Sequence, residues 1–204
     1  MSSEQAERPK LVGGAPCLDF TNTVDWRGRD HPVDSLRDYE DLVEWSLTAG
    51  ILEEAETERL LKLGALSPQH VESVYRSGVE LREATYRVLR AACEGASPEA
   101  ADLALLNQVL SEALSHTRLA GVDGVYRLEY DSNPPESILW RLAANACELL
   151  TSEDLTRVKR CASEECGWLF LDLSRNRSRR WCDMESCGNR MKARRHYRRT
   201  RESK

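Results

Sequence analysis

The chain has 204 residues, 41% hydrophobic and 31% charged, which is enough apolar content for a packed core and argues against wholesale disorder. Its net charge of −5 conceals a polarity: residues 1–156 hold 28 acidic against 14 basic side chains, whereas residues 157–204 hold 6 against 15. No apolar run approaches the ~20 residues of a membrane span, and the N-terminus lacks the basic and apolar regions of a signal peptide. A cytoplasmic chain with no membrane partner is expected.

Residues 1–10 are polar and read as a disordered N-terminus. From 11 to 152 the pattern is that of a mainly α domain with a few short β-strands, an α+β arrangement. Gly13-Gly14-Ala15-Pro16, followed by a β-rich stretch to Trp26, predicts a turn and one or two short strands. Leu36, Tyr39, Leu42, Val43 and Leu47 recur at helical spacing, with Asp34 or Ser35 as N-cap and Gly50 as a stop. A short helix over 53–63 is expected to end at Gly64. Ser67-Pro68 opens a long helix to Glu94, with a stripe of Val71, Val74, Gly78, Leu81, Val88 and Ala92. Ser97-Pro98 repeats that signal for a helix carrying Leu103, Leu106, Leu110 and Leu114. Residues 117–131 predict a β-hairpin turning over Gly121–Gly124. Asn133-Pro134-Pro135 starts a further helix with Ile138, Leu142, Ala146 and Leu149 on one face, ending near Thr151.

This part has no phosphate-loop glycine pattern, no His-Glu-x-x-His and no Gly-x-Ser-x-Gly. His31, His70 and His116 lie far apart and read as surface or structural residues. Asp19, Asn22, Trp26 and Arg27 form a polar, aromatic group after the glycine–proline turn, suited to lining a small-molecule pocket. The group lacks a nucleophile–base pair, and structural capping or hydrogen bonding accounts for Asp19 and Asn22 more simply. A small-molecule effector or a homodimer partner is the expectation for this domain, without a residue pattern that specifies either, and the chain is not expected to be an enzyme.

Residues 157–204 differ in kind. Cys161 and Cys166, then Cys182 and Cys187, are two close pairs separated by 15 residues. That layout is typical of a tetrahedral zinc site, in which each pair forms a knuckle presenting two sulfurs. Four thiolates close the coordination sphere, so the zinc is expected to be structural. Gly167–Leu173 reads as a strand, 174–178 as a turn and Arg179–Cys182 as the returning strand. A helix-compatible run then follows from Met191 to Arg199. Knuckle, hairpin and helix together make a small treble-clef-like zinc finger with four cysteine ligands.

Its basic residues concentrate at two places. The expected hairpin tip holds Arg175, Asn176, Arg177, Arg179 and Arg180. The terminal helix holds Asn189, Arg190, Lys192, Arg194, Arg195, Arg198 and Arg199, and residues 188–201 contain seven Lys and Arg with no acid. A solvated charged face normally mixes signs, so an anionic partner is implied. Arginine forks suit phosphate oxygens and guanine edges, which points to nucleic acid, in the first place double-stranded DNA. RNA, or an acidic protein surface including this chain's own body, is the alternative.

The run from Phe170 through Asp172, Ser174, Asn176, Arg179-Arg180-Trp181-Cys182 and Met184 to Cys187-Gly188-Asn189-Arg190 and Lys192 resembles the CGNR zinc finger. Cys17-Leu18-Asp19-Phe20-Thr21-Asn22-Thr23 is similar to the partner domain called ABATE, a stress-induced transcription regulator. The resemblance implies a bacterial DNA-binding regulator with Cys161, Cys166, Cys182 and Cys187 as zinc ligands.

Overall fold

The computed structural model describes residues 10–202. The side chains of Val122, Arg195, His196, Arg198, Arg199 and Glu202 lie outside the described set, as does the N-terminal segment 1–9. Pro16 opens a helix where the β-rich composition suggests strands: α1 runs Pro16–Thr21. The proline ring presets the first helical φ, and the Ala15 carbonyl accepts the amides of Leu18 and Asp19 at 3.0 Å each. Cys17, Leu18 and Phe20 are fully buried, and that burial outweighs local strand propensity. Only β1 (Val24–Asp25) is a strand, paired antiparallel with β2 (Val33–Asp34).

Helix α2 (Tyr39–Thr48) is capped by Asp38, whose side chain accepts the Asp41 amide, and not by Asp34 or Ser35. Asp34 is occupied instead by the buried guanidinium of Arg82, at 2.6 and 2.8 Å. Helix α3 (Glu54–Leu66) runs past Gly64. Gly64 is helical and packs against the Tyr39 ring, where an added Cβ would make ordinary van der Waals contact.

The long helix α4 (Pro68–Glu94) begins and ends as expected, closing on Gly95 at φ 70°. Its stripe from Val71 to Val88 is buried, with Ala92 half-buried. Helix α5 (Ala100–Ser115) starts later than Pro98 and is rotated from the expected leucine stripe. It buries Asp102, Leu106 and Ala113, while Leu103 and Leu114 are exposed. A clamp from Arg87 of α4 to Asp102, at 2.6 and 2.8 Å, fixes that rotation. Strands β3 (Thr117–Val122) and β4 (Val125–Tyr130) form the expected hairpin, with a two-residue Asp123-Gly124 turn at positive φ. Helix α6 (Ser137–Thr151) buries Ile138, Leu142, Ala146 and Leu149 and packs against α1, α4 and α5.

A single 3-10 turn, Glu153–Arg157, leads into β5 (Val158–Arg160), which pairs antiparallel with β6 (Leu169–Leu171). The expected return strand at 179–182 does not form. The Cys161–Cys166 knuckle folds the chain back on itself, so 158–160 takes the ladder position beside 169–171. The chain closes with α7 (Asn189–Glu202). Val158, Leu169 and Leu171 join the same hydrophobic cluster as Leu18, Leu81 and Ile138 of the helical body. Trp168, Phe170 and the four cysteines form a second, small cluster with Val12 and Trp181 against it.

Candidate zinc centre and the joint between body and finger

Zn–S bonds of ~2.3 Å in a tetrahedron place the sulfurs about 3.8 Å apart. Here Cys166 Sγ and Cys182 Sγ lie 3.6 Å apart, and Cys182 Sγ and Cys187 Sγ 3.7 Å apart. All four sulfurs, including that of Cys161, fall within 4.8 Å of one another and are buried. Hydrogen bonding from the neighbouring sulfurs, Cys166 first, holds the Cys161 thiol well below its ordinary range. The same crowding, led by Cys161, drives Cys182 far above its own. A divalent cation removes this conflict, because it lets all four bind as thiolates. The donor set fits structural zinc.

Asp172 organises the loop after β6. Its buried carboxylate accepts from Lys159 Nζ at 2.6 Å, from the Ser174 hydroxyl and amide, and from the Arg179 amide at 3.0 Å. The Lys159 ammonium, first among these donors, holds Asp172 far below the usual carboxylate range. Arg179 turns inward: it donates to the carbonyls of Trp181, Val12 and Cys182 and lies 4.4 Å from the Phe170 ring centroid. Arg175, Asn176 and Arg177 are exposed, and Arg180 is exposed beside them.

The finger is stitched to the body by side chains that grip its backbone. Asn22 donates to the Leu169 carbonyl at 2.8 Å and accepts the Leu169 amide at 3.0 Å. Trp168 Nε1 donates to the Val24 carbonyl, and the Tyr86 hydroxyl to the Gly167 carbonyl, each at 2.9 Å. Arg27 pairs with Glu83 of α4 at 2.7 Å and lies over the Tyr86 ring, while its amide donates to the Cys166 carbonyl. Gly28 passes so close to the first knuckle that an added Cβ would meet the Glu164 carbonyl oxygen at 1.9 Å.

Of the four expected pocket residues, Asp19, Asn22 and Trp26 line one cavity of about 340 Å³ between body and finger. Arg27 faces a different cleft, toward Arg82 and Glu83. The first cavity also reaches Trp45 of α2, the cysteine cluster and Arg190 of α7. Sequence reasoning passes over Trp45, because a tryptophan within an apolar helix stripe looks like core. It misses Arg29 and Glu165 as well: they pair at 2.6 Å across 136 residues, and no local pattern announces such a contact.

Asp19 is 8% exposed and accepts the Gly13 amide at 2.7 Å. Burial pushes its carboxyl up to about 6 from an ordinary 3.8. An acid with a raised folded pKa favours the neutral form, so its burden on the fold is absent below pH 3.8 and complete above pH 6. Asp19→Asn keeps an acceptor for Gly13 and removes the charge. Relative to the parent, this variant should gain about 1–3 kcal/mol at pH 7 and nothing at about pH 3.5. Urea unfolding of both proteins from about pH 3.5 to 7.5 measures the gap, and a constant gap would contradict the assignment.

The terminal helix starts directly from the second knuckle. Asp183 caps the single turn Met184–Gly188 by accepting the amides of Glu185 and Ser186. Asn189, Lys192 and Arg194 lie along its outer side, and Arg194 pairs with Glu165 of the finger itself at 2.7 Å. Arg190 folds back, with its guanidinium 4.2 Å from the Trp26 ring centroid. Arg195, Arg198 and Arg199 lie on α7, with side chains outside the described residues.

A tetracysteine module with an arginine-rich helix, docked on an acidic helical body, defines a two-part zinc-finger protein. Residues 14–153 match the model of ABATE, "Putative stress-induced transcription regulator", and residues 157–200 match the CGNR zinc finger. The chain belongs to the ABATE family and carries a CGNR zinc finger behind that domain. Both families are of regulator and zinc-finger type, not enzymatic. No curated protein matches the chain. Among the described residues no helix is long and apolar enough to cross a membrane.

Proposed function

We propose that this protein is a non-enzymatic transcription regulator that grips duplex DNA with its finger. The observation that carries the reading is the acid-free run of seven Lys and Arg over 188–201, which begins at the second zinc knuckle. Zinc orients the helix, and an arginine-rich helix suits the major groove. Arg175, Arg177 and Arg180, exposed on the loop before the second knuckle, offer further contacts to the phosphate backbone. Arg179 is absent from this face, because the protein's own carbonyls occupy it. The body, in this reading, senses an effector or pairs two copies.

RNA is the less favoured partner. Recognition of single strands relies on exposed aromatic stacking platforms, and of the finger's aromatics Trp168 and Phe170 are buried and Trp181 half-buried, which leaves Tyr197, 71% exposed. Sequestration of the exposed helix arginines by acids of the body is also disfavoured, since Arg194 pairs with Glu165 within the finger.

Fluorescence anisotropy of the full-length, zinc-loaded protein on duplex DNA tests the reading. Binding should weaken with salt at a log–log slope of roughly −0.9 per phosphate contacted. Replacing Arg175, Arg177 and Arg180 by Ala should flatten that slope by about 2–3. Binding that ignores salt, or that survives zinc removal unchanged, would overturn it. Preference for single-stranded RNA over the duplex would transfer the function to the alternative reading.

A further inference from the structure

The cavity between body and finger holds two buried donors without acceptors. Trp45 is 3% exposed and lines the cavity from α2, and its Nε1–H finds no acceptor among the described residues. Arg190 lines it from α7, and its Nη1 is likewise buried and without a hydrogen-bond partner among them. Buried donors are rarely left unpaired, and each such case calls for an explanation. Three other polar side chains on the same wall are satisfied internally. The Trp168 indole reaches the Val24 carbonyl, Asn22 holds Leu169 with both ends of its amide, and the Ser35 hydroxyl donates to the Thr23 carbonyl. Among the described residues, buried atoms of Tyr39, Arg59, Ser137, Trp140 and Ser163 also lack a partner, and Trp45 and Arg190 are the two of this set that line the cavity.

Two further features mark the place. Trp26 sits at φ 58°, a left-handed conformation that bulky residues rarely adopt, and such strain concentrates at ligand sites. The volume of about 340 Å³ lies at the lower end for small-molecule sites, and the indoles of Trp26, Trp45 and Trp168 supply an apolar lining.

We propose that this cavity binds a small planar ring bearing an oxygen acceptor, carboxylate or amide carbonyl, which supplies the partner that Trp45 Nε1–H and Arg190 Nη1 lack. Such a molecule joins α2 of the body to α7 of the finger, so its occupancy bears directly on the helix that carries the arginines. Its role as an effector rests on the regulator reading above; its binding does not.

The test is the indole ¹H–¹⁵N spectrum of full-length, zinc-loaded protein titrated with benzoate, benzamide and benzylamine. Trp45→Phe identifies the Trp45 signal, and Arg190→Lys reports independently should that variant fail to fold. Benzoate or benzamide should shift the Trp45 indole proton downfield and saturate with a dissociation constant on the order of millimolar. Benzylamine, which has no oxygen acceptor, should leave it in place. Arg190→Lys should weaken binding roughly three- to tenfold. A response to benzoate alone assigns a carboxylate, a response to benzamide alone assigns a carbonyl, and a response to both assigns their shared oxygen. No shift with either, or an equal shift with benzylamine, overturns the proposal. DNA binding is measured separately, so loss of one result leaves the other standing.

Discussion

Removal of zinc is expected to melt more than the finger. Val158, Leu169 and Leu171 lie in the body's own hydrophobic cluster, and the two knuckles flank β6 in the chain. Structural zinc contributes ~10–16 kcal/mol in small modules. If only about 4 kcal/mol of that reaches the whole chain, the melting temperature falls by roughly 8–16 °C. Differential scanning calorimetry with and without chelator should show one cooperative transition that shifts downward as a unit. Cys182→Ser should reproduce it. A body transition that stays in place while a separate finger transition vanishes would show that the two parts fold independently.

Asn22→Ala should produce the second largest loss. One carboxamide satisfies both the amide and the carbonyl of Leu169, and Asn22 and Leu169 are 4% and 0% exposed. Truncation leaves two buried backbone groups unpaired, each costing ~1–3 kcal/mol. A loss of about 3 kcal/mol overall is expected, read as a fall of roughly 6–12 °C in melting temperature. The same variant should release zinc to a competing chelator more readily, because Leu169 lies three residues beyond Cys166. Arg29→Ala breaks a more exposed pair with Glu165 and should cost no more than about 1 kcal/mol. Equal losses for the two variants would mean that the joint is held by charge and not by the Asn22 bridge.

The long helices and the cysteine pairs are legible because each repeats a physical rule many times. Helix α4 combines a serine–proline start, a sustained stripe and a glycine in the left-handed region at its end. The cysteine spacing admits few readings other than a metal site. Short elements are less legible. Over six residues, Pro16–Thr21 cannot display a helical period, so β-rich composition wins on paper and burial wins in the fold. The strand partner of 169–171 escapes notice because three residues at 158–160 carry no alternation. The fate of individual arginines is least legible. Arg179 is held by the Val12 carbonyl 167 residues away, and Arg190 by the ring of Trp26, so an arginine run does not reveal which members stay free. Of the group after the glycine–proline turn, Asp19, Asn22 and Trp26 line one cavity, while Arg27 becomes a clasp to Glu83.

The shared hydrophobic cluster at β5 and β6 also bears on how the molecule can be taken apart. The family boundary near residue 155 suggests a place to cut, yet a fragment beginning at Arg157 would carry Val158, Leu169 and Leu171 into water and leave behind their sockets. It would also lose Asn22, Val24 and Tyr86, the groups that hold the backbone of the first knuckle and β6. Dissection at that point therefore yields two damaged halves, and a transplanted finger needs residues 11–28 together with the α4 face that carries Leu81 and Tyr86.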